Sequence, residues 1–326
     1  MIIITGGAGF IGSALIWKLN EEGINDILVV DHLGIGLKWK NLAKRQINQV
    51  LHKDTFFEYL SNEKRRISMV FHIGACSATT EEDADYLMEN NVNYSIRLFE
   101  YCTRESIPFI YASSAATYGA MEEGFYDELK DIPSLKPINK YGFSKHLFDL
   151  WVIKQKKHPP FWAGLKFFNV YGPQEYHKGA QASVAFHAFN QIKTDNSLKL
   201  FKSHRENIEH GDQRRDFIYI KDVVKVIYHL YNMKKDIQSG IYNIGTGMAR
   251  SFSELGDAVF NSMRKKTPVF EWIDMPENIR DQYQYFTQAN LNNLKKQALY
   301  TDPFFTLEDG IRDYIQNYLM KPDQYL

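Results

Sequence analysis

Tyr141 and Lys145 stand four residues apart, so both side chains share one face if the segment around them is helical. That spacing suits an acid/base pair. A phenol titrates near pH 10, and bringing it to neutrality takes about 4 kcal/mol of phenolate stabilisation, which requires nearby cations such as Lys145. The spelling Y-x-x-x-K also arises by chance from one core tyrosine and one surface lysine. Upstream, Ser113-Ser114-Ala115-Ala116-Thr117-Tyr118-Gly119 closes a β-rich run, where a serine hydroxyl could hydrogen-bond a reacting oxygen. At the start of the chain, Gly6, Gly9 and Gly12 lie between an apolar run and a helical stretch, and Gly7, Gly9 and Gly12 also satisfy G-x-G-x-x-G. Glycines let the backbone approach a pyrophosphate, while the amino end of the helix offers free N–H groups and a positive dipole. Asp31 follows Gly12 by nineteen residues, the place of a carboxylate that accepts from an adenosine ribose. Together these residues point to a bound dinucleotide, and an oxidised nicotinamide would be a second cation beside Tyr141. Asp31 favours a free 2′-hydroxyl; Lys38 and Lys53 could instead pair with a 2′-phosphate, and from spacing alone they read equally as solvated surface lysines.

These residues need a scaffold, and the rhythm of the chain supplies one. Ile2 to Thr5 and Ile27 to Val30 read as buried strands, with further β-rich runs at Met69 to Ile73, Pro108 to Tyr111 and Leu165 to Phe168. Helix-length stretches separate them, notably Asp83 to Cys102 and Tyr141 to Lys156. Strands alternating with helices predict an α/β fold, a Rossmann-type doubly wound parallel sheet with a smaller mixed α/β substrate-binding lobe. The division expected is a dinucleotide-binding domain over 1–170, to which roughly 215–245 returns, and a substrate lobe from 171–214 and 246–326. Lys+Arg 39 balances Asp+Glu 39, so no net field would hold a nucleic acid or an anionic membrane. No apolar run approaches about 18 residues, so no membrane span is expected. The two cysteines, Cys76 and Cys102, form neither a disulfide framework nor a metal cluster, so a cytoplasmic protein without a metal ion is expected.

The glycine turn, the serine strand and the Tyr/Lys pair together resemble the extended short-chain dehydrogenase/reductase family. Phe168 to Pro173, Arg215 to Tyr219 and Tyr242 to Gly247 look like its nucleotide-sugar branch. Ala115-Ala116 stands where the 4,6-dehydratases of that branch carry an Asp-Glu pair, which disfavours dehydration. Gly74-Ala75-Cys76-Ser77, His177-Lys178-Gly179, Ala182 to His187 and Tyr283 to Gln288 are similar to the ADP-L-glycero-D-manno-heptose 6-epimerase family, and the likeness runs along the whole chain. The resemblance implies one tightly bound NADP per subunit in preference to NAD, an ADP-heptose substrate, a homo-oligomer (a pentamer), and a role in supplying heptose for the lipopolysaccharide inner core. It also implies hydride loss at C6″, a transient 6″-ketone and hydride return to the other face. In that scheme Ser114 binds the substrate hydroxyl, Lys145 lowers the tyrosine pKa and holds the nicotinamide ribose, and Tyr141 and Lys178 serve the two epimers. Without the resemblance, His177-Lys178 is a polar loop.

Matched residue by residue, the resemblance assigns Gly6, Gly9, Phe10, Ile11, Gly12, Asp31, His32, Lys38, Lys53, Ile73, Gly74, Ala75, Cys76, Ser77, Asn90, Lys145, Val170 and Lys178 to the cofactor. It assigns Ser114, Asn169, Ala180, His187, Phe201, Lys202, Ser203, His204, Arg215 and Tyr283 to the substrate. Arg215 could clasp a diphosphate or pair with Asp216 or Asp222. Ile73 replaces a common acidic residue, Ala180 a serine, and Phe201-Lys202-Ser203-His204 departs from Phe-Glu-Gly-Ser; the loop to Gln213 is longer. A UDP-hexose 4-epimerase using Tyr141 alone is the nearest competing activity. A non-catalytic cofactor-sensing protein is the competing class, and such proteins typically lose the Tyr/Lys pair.

Overall fold

The computed structural model describes residues 1–280 and 283–326, without the side chains of 278 and 279. Its strands are β1 (Ile2–Thr5), β2 (Ile27–Asp31), β3 (Gln49–His52), β4 (Met69–His72), β5 (Phe109–Ser114), β6 (Trp162–Phe167), β7 (Asn169–Tyr171), β8 (Leu198–Phe201), β9 (Arg214–Tyr219), β10 (Gly240–Ile244), β11 (Ala249–Ser251) and β12 (Phe270–Ile273). Seven of them form one sheet in the order β10-β6-β5-β4-β1-β2-β3, parallel at every pairing. A parallel sheet covered on both faces must be apolar on both faces. Ile2, Ile3 and Ile4 are accordingly all buried, as are Leu28, Val29, Val70 and Phe71. Helices Phe10–Glu21 and Ile220–Met233 pack together on one face, and Tyr94–Arg104 and Lys140–Lys154 on the other. The order of connection reverses between β1 and β4, and a crevice opens there at the carboxyl ends of the strands.

The smaller lobe is built on a three-stranded sheet, β11-β9-β7, and a parallel pair, β12-β8. Of the segment expected to return to the large sheet, helix Ile220–Met233 and β10 do so, whereas β9 joins the small sheet. β10 occupies the free edge of β6, so β9 pairs with β7 and β11 instead. The expected single helix over 83–102 is interrupted: Ala84–Leu87 passes through a π-helical turn, Met88–Asn93, into Tyr94–Arg104. Such turns re-aim side chains; this one carries Asn90 and Asn91. Among the described residues, no helix is long and apolar enough to cross a membrane.

Candidate active site

The turn from β1 to helix Phe10–Glu21 is a cradle in which side chains do not fit. Gly6 has φ +67°, and a Cβ on it would lie 2.5 Å from Cα of Gly74. On Gly12 it would lie 2.2 Å from the carbonyl oxygen of Gly6. The helix therefore starts flush against the turn, and Gly9 to Gly12 line the crevice. Asp31 closes β2 and braces this turn: its carboxylate accepts from the Ala8 N–H at 2.8 Å and the His32 N–H at 2.7 Å, and pairs with the Lys38 ammonium. Lys38 is thus a partner of Asp31. Lys53 donates to Asn90 Oδ1 at 2.8 Å.

A cavity of about 950 Å³ extends from this cradle, and every residue expected at a cofactor or catalytic position lines it. On its floor, the Thr5 hydroxyl and His72 Nδ1 share a hydrogen bond of 2.6 Å, and burial pulls His72 down to about 3, so the ring is neutral. Asn91 accepts from the Cys76 N–H at 2.9 Å and donates to the Cys76 carbonyl and the Ser144 hydroxyl, both at 3.0 Å. It thereby ties the Gly74 to Ser77 loop to the helix that carries Tyr141.

Ser114 ends β5, where its hydroxyl accepts from the Ala116 N–H at 3.1 Å. Tyr141 lies in the first turn of helix Lys140–Lys154, started by the Asn139 side chain accepting from the Gly142 N–H at 2.7 Å. Lys145 follows one turn later and donates to the Ala112 carbonyl at 3.0 Å. Burial pulls its ammonium down to about 8, opposed by the negative charge of Asp149 and by Cys76. Burial also raises the Tyr141 phenol above its ordinary value, with the Ser114 hydroxyl opposing.

Lys178 lines the same cavity from a different element, the turn Tyr176–Gln181. Its ammonium sits 5.6 Å from the centre of the Phe10 ring, and burial lowers its pKa while Glu175 opposes. Glu175 is fully buried and closes the loop: its carboxylate accepts from Gly172 N–H at 3.2 Å and from the Ser183 hydroxyl at 2.8 Å. Asn41 joins this loop to the glycine turn, donating to the carbonyls of Ala8 (2.9 Å) and Gln174 (3.0 Å) and contacting His177 Nδ1 at 3.2 Å. The polar-loop reading of His177-Lys178 therefore gives way to a half-buried lysine facing Tyr141's cavity.

The residues expected at the substrate fall in two groups. Ser114, Asn169 and Ala180 line the cavity, and His187 stands behind Ala180, its Nε2 3.3 Å from that carbonyl. Phe201, Arg215 and Tyr283 gather beyond it: the Arg215 guanidinium lies 5.1 Å from the Tyr283 ring centre, and the Phe201 and Tyr283 rings are 6.4 Å apart. Arg215 is buried and donates to the carbonyls of Arg214 and Gln284, so neither expected ion pair forms. Asp216 instead accepts from Thr246, Gly247 and Ala289, and Asp222 from Phe305. Lys202 pairs with Asp274 at 3.3 Å, and Ser203 and His204 turn toward His210 and Tyr285. Asn41, Asn91, Asp149, Lys166 and Glu175 were not anticipated; Asp149 alone carried a signal, lying one further helical turn along the Tyr141/Lys145 face.

A dinucleotide cradle, a half-buried Ser114 with buried Tyr141 and Lys145, and a second lysine on the same cavity define a nicotinamide-dependent enzyme of nucleotide-sugar type. The chain belongs to the NAD dependent epimerase/dehydratase family, whose model matches residues 2–245. Over the full length of both chains it is 51% identical to the ADP-L-glycero-D-manno-heptose-6-epimerase of Fusobacterium nucleatum and 48% identical to that of Nitratidesulfovibrio vulgaris. Among solved structures it is similar to the ADP-L-glycero-D-manno-heptose-6-epimerase of Helicobacter pylori, with 28% identity, TM-score 0.78, and coverage of 97% of this chain and 95% of that one.

Proposed function

We propose that this protein converts ADP-D-glycero-D-manno-heptose to ADP-L-glycero-D-manno-heptose, inverting C6″ through a transient 6″-ketone. The observation that carries the reading is the entry of Tyr141 and Lys178 into one cavity from different elements, in a chain half identical to two proteins of that name. The glycine cradle fits a dinucleotide pyrophosphate: a Cβ at Gly6 or Gly12 would collide with neighbouring backbone, so only glycine lets the turn close this tightly, and Gly6, Gly9 and Gly12 line the cavity. When bound, the nicotinamide ring accepts and returns the hydride. NADP as the dinucleotide, with Lys38 and Lys53 toward its 2′-phosphate, is part of the proposal, as are a homo-oligomer and a cytoplasmic location.

The chain's own groups then divide the proton work. The C6″ hydroxyl points to opposite sides before and after reaction, so one acid/base group cannot serve both epimers without moving. Ser114 and Tyr141 hold the oxygen on one side; Lys178, with its charge already disfavoured by burial, takes or gives the proton on the other. Lys145 would hold the nicotinamide ribose and, as an ammonium, would favour the phenolate once Tyr141 has given up its proton. ADP-heptose and UDP-galactose supplied separately test the reading: turnover of the heptose alone supports it, and turnover of the hexose alone fails it.

A further inference from the structure

Tyr141, Lys145 and Asp149 succeed one another at four-residue steps on helix Lys140–Lys154, one face running from the cavity into the core. At the inner end of that face lies an ion pair without access to solvent. Lys166 on β6 and Asp149 meet at 2.7 Å, and both side chains are 0% exposed. Both members of the pair make further hydrogen bonds. The Asp149 carboxylate also accepts from the Ser113 hydroxyl at 2.7 Å and the Tyr111 hydroxyl at 3.0 Å, both on β5. Lys166 also donates to the Thr117 hydroxyl at 2.6 Å, and Thr117 donates to the Ser114 carbonyl at 2.8 Å. Four segments therefore meet at one pair: the helix of Tyr141 and Lys145, the strand ending in Ser114, the turn after it, and β6.

We propose that the Asp149–Lys166 pair is a positioning device for proton transfer: it fixes Ser114, Tyr141 and Lys145 relative to one another and keeps a negative charge beneath Lys145. Replacing a buried ion pair by apolar groups of similar volume is often neutral for stability, so the part assigned to this pair is one of geometry and charge, not of stability. The groups facing Lys145 are Tyr141 and Asp149 from its own helix, Cys76 from the loop after β4, and His72 from β4. Those facing the pair are Tyr111, His146, Tyr118 and Asp127. Of the groups that act on Lys145, Asp149 is the first to oppose its desolvation. Without that carboxylate the ammonium would give up its proton at lower pH; without Lys166, the carboxylate would act on it more strongly.

The inference rests on the hydride-transfer reading, and two variants test it with opposite signs. Lys166→Met leaves the Asp149 charge unshared, and the double variant Asp149→Asn/Lys166→Met removes both charges. The measurements are the pH profile of kcat for ADP-heptose epimerisation and, separately, the pH dependence of NADP affinity, with thermal melting as the fold check. In the double variant the alkaline limb of both profiles should move down by about one pH unit; in Lys166→Met it should move up. Limbs that stay at the wild-type position in the folded variants, or that move in the same direction in both, overturn the proposal and leave a purely structural pair. Because NADP affinity is read independently, a wild-type protein inactive on ADP-heptose would fail the functional reading while the pair is still tested.

Discussion

Alanine at Gly12 puts a methyl carbon 2.2 Å from the Gly6 carbonyl oxygen and 2.8 Å from Cα of Gly7, all of it backbone that cannot swing aside. Ordinary contact needs about 3.5 Å, so the start of helix Phe10–Glu21 and the preceding turn must separate by about 1 Å. A displacement of that size takes an N–H···O bond near 2.9 Å well outside hydrogen-bonding range. Each hydrogen bond to a charged group is worth about 1.5–3 kcal/mol, so losing one to the pyrophosphate should weaken dinucleotide binding roughly 10- to 100-fold. The assay is calorimetric titration of NADP and NAD into protein freed of its dinucleotide, with far-UV circular dichroism to confirm the fold. Gly23→Ala is the control: its Cβ meets nothing within 4 Å, and at φ +77° it carries backbone strain away from the cavity. A folded Gly12→Ala protein that binds the dinucleotide with wild-type affinity would refute the cradle.

Tyr141→Phe and Lys178→Met should each abolish epimerisation while the purified proteins keep their dinucleotide, read by absorbance and mass of the material released on denaturation. Lys38→Ala and Lys53→Ala should each weaken NADP about tenfold and leave NAD affinity unchanged, measured by titration with both. His72 is neutral in the fold with its pKa lowered to about 3, against about 6.5 unfolded, so the stability it contributes is full above pH 6.5 and is lost as pH falls toward 3. At pH 5 that loss amounts to about 2 kcal/mol, roughly 3 °C in Tm for a chain of this size. His72→Asn should therefore show a shallower fall in Tm between pH 7 and pH 5 than the wild-type protein.

The sheet and its crevice were legible where burial is two-sided, because a strand such as Ile2–Thr5 then reads as an unbroken apolar run and the glycines after it have one use. β3 was not anticipated: Gln49–His52 lies at the sheet edge with Gln49, Val50 and His52 exposed, so no apolar run marks it. The cavity was legible because the cofactor and catalytic residues follow strand ends, which topology brings to one edge. The Asp149–Lys166 pair was not, since Lys166 in a β-rich run reads as a surface charge until β6 is known to be central. Around 201–215 the side chains find partners on distant segments, as Arg215 does at Gln284, and spacing along the chain does not encode those meetings.

The account stands on direct hydride departure from and return to the same carbon, with Tyr141 and Lys178 handling only the oxygen's proton. ADP-heptose carrying deuterium at C6″, converted in ordinary water and examined by NMR and mass spectrometry, tests this most directly. The expected product is the inverted epimer with its deuterium still at C6″ and no solvent hydrogen in its place. Inversion accompanied by loss of the label to water would contradict it, because the carbon would then have exchanged a proton rather than a hydride.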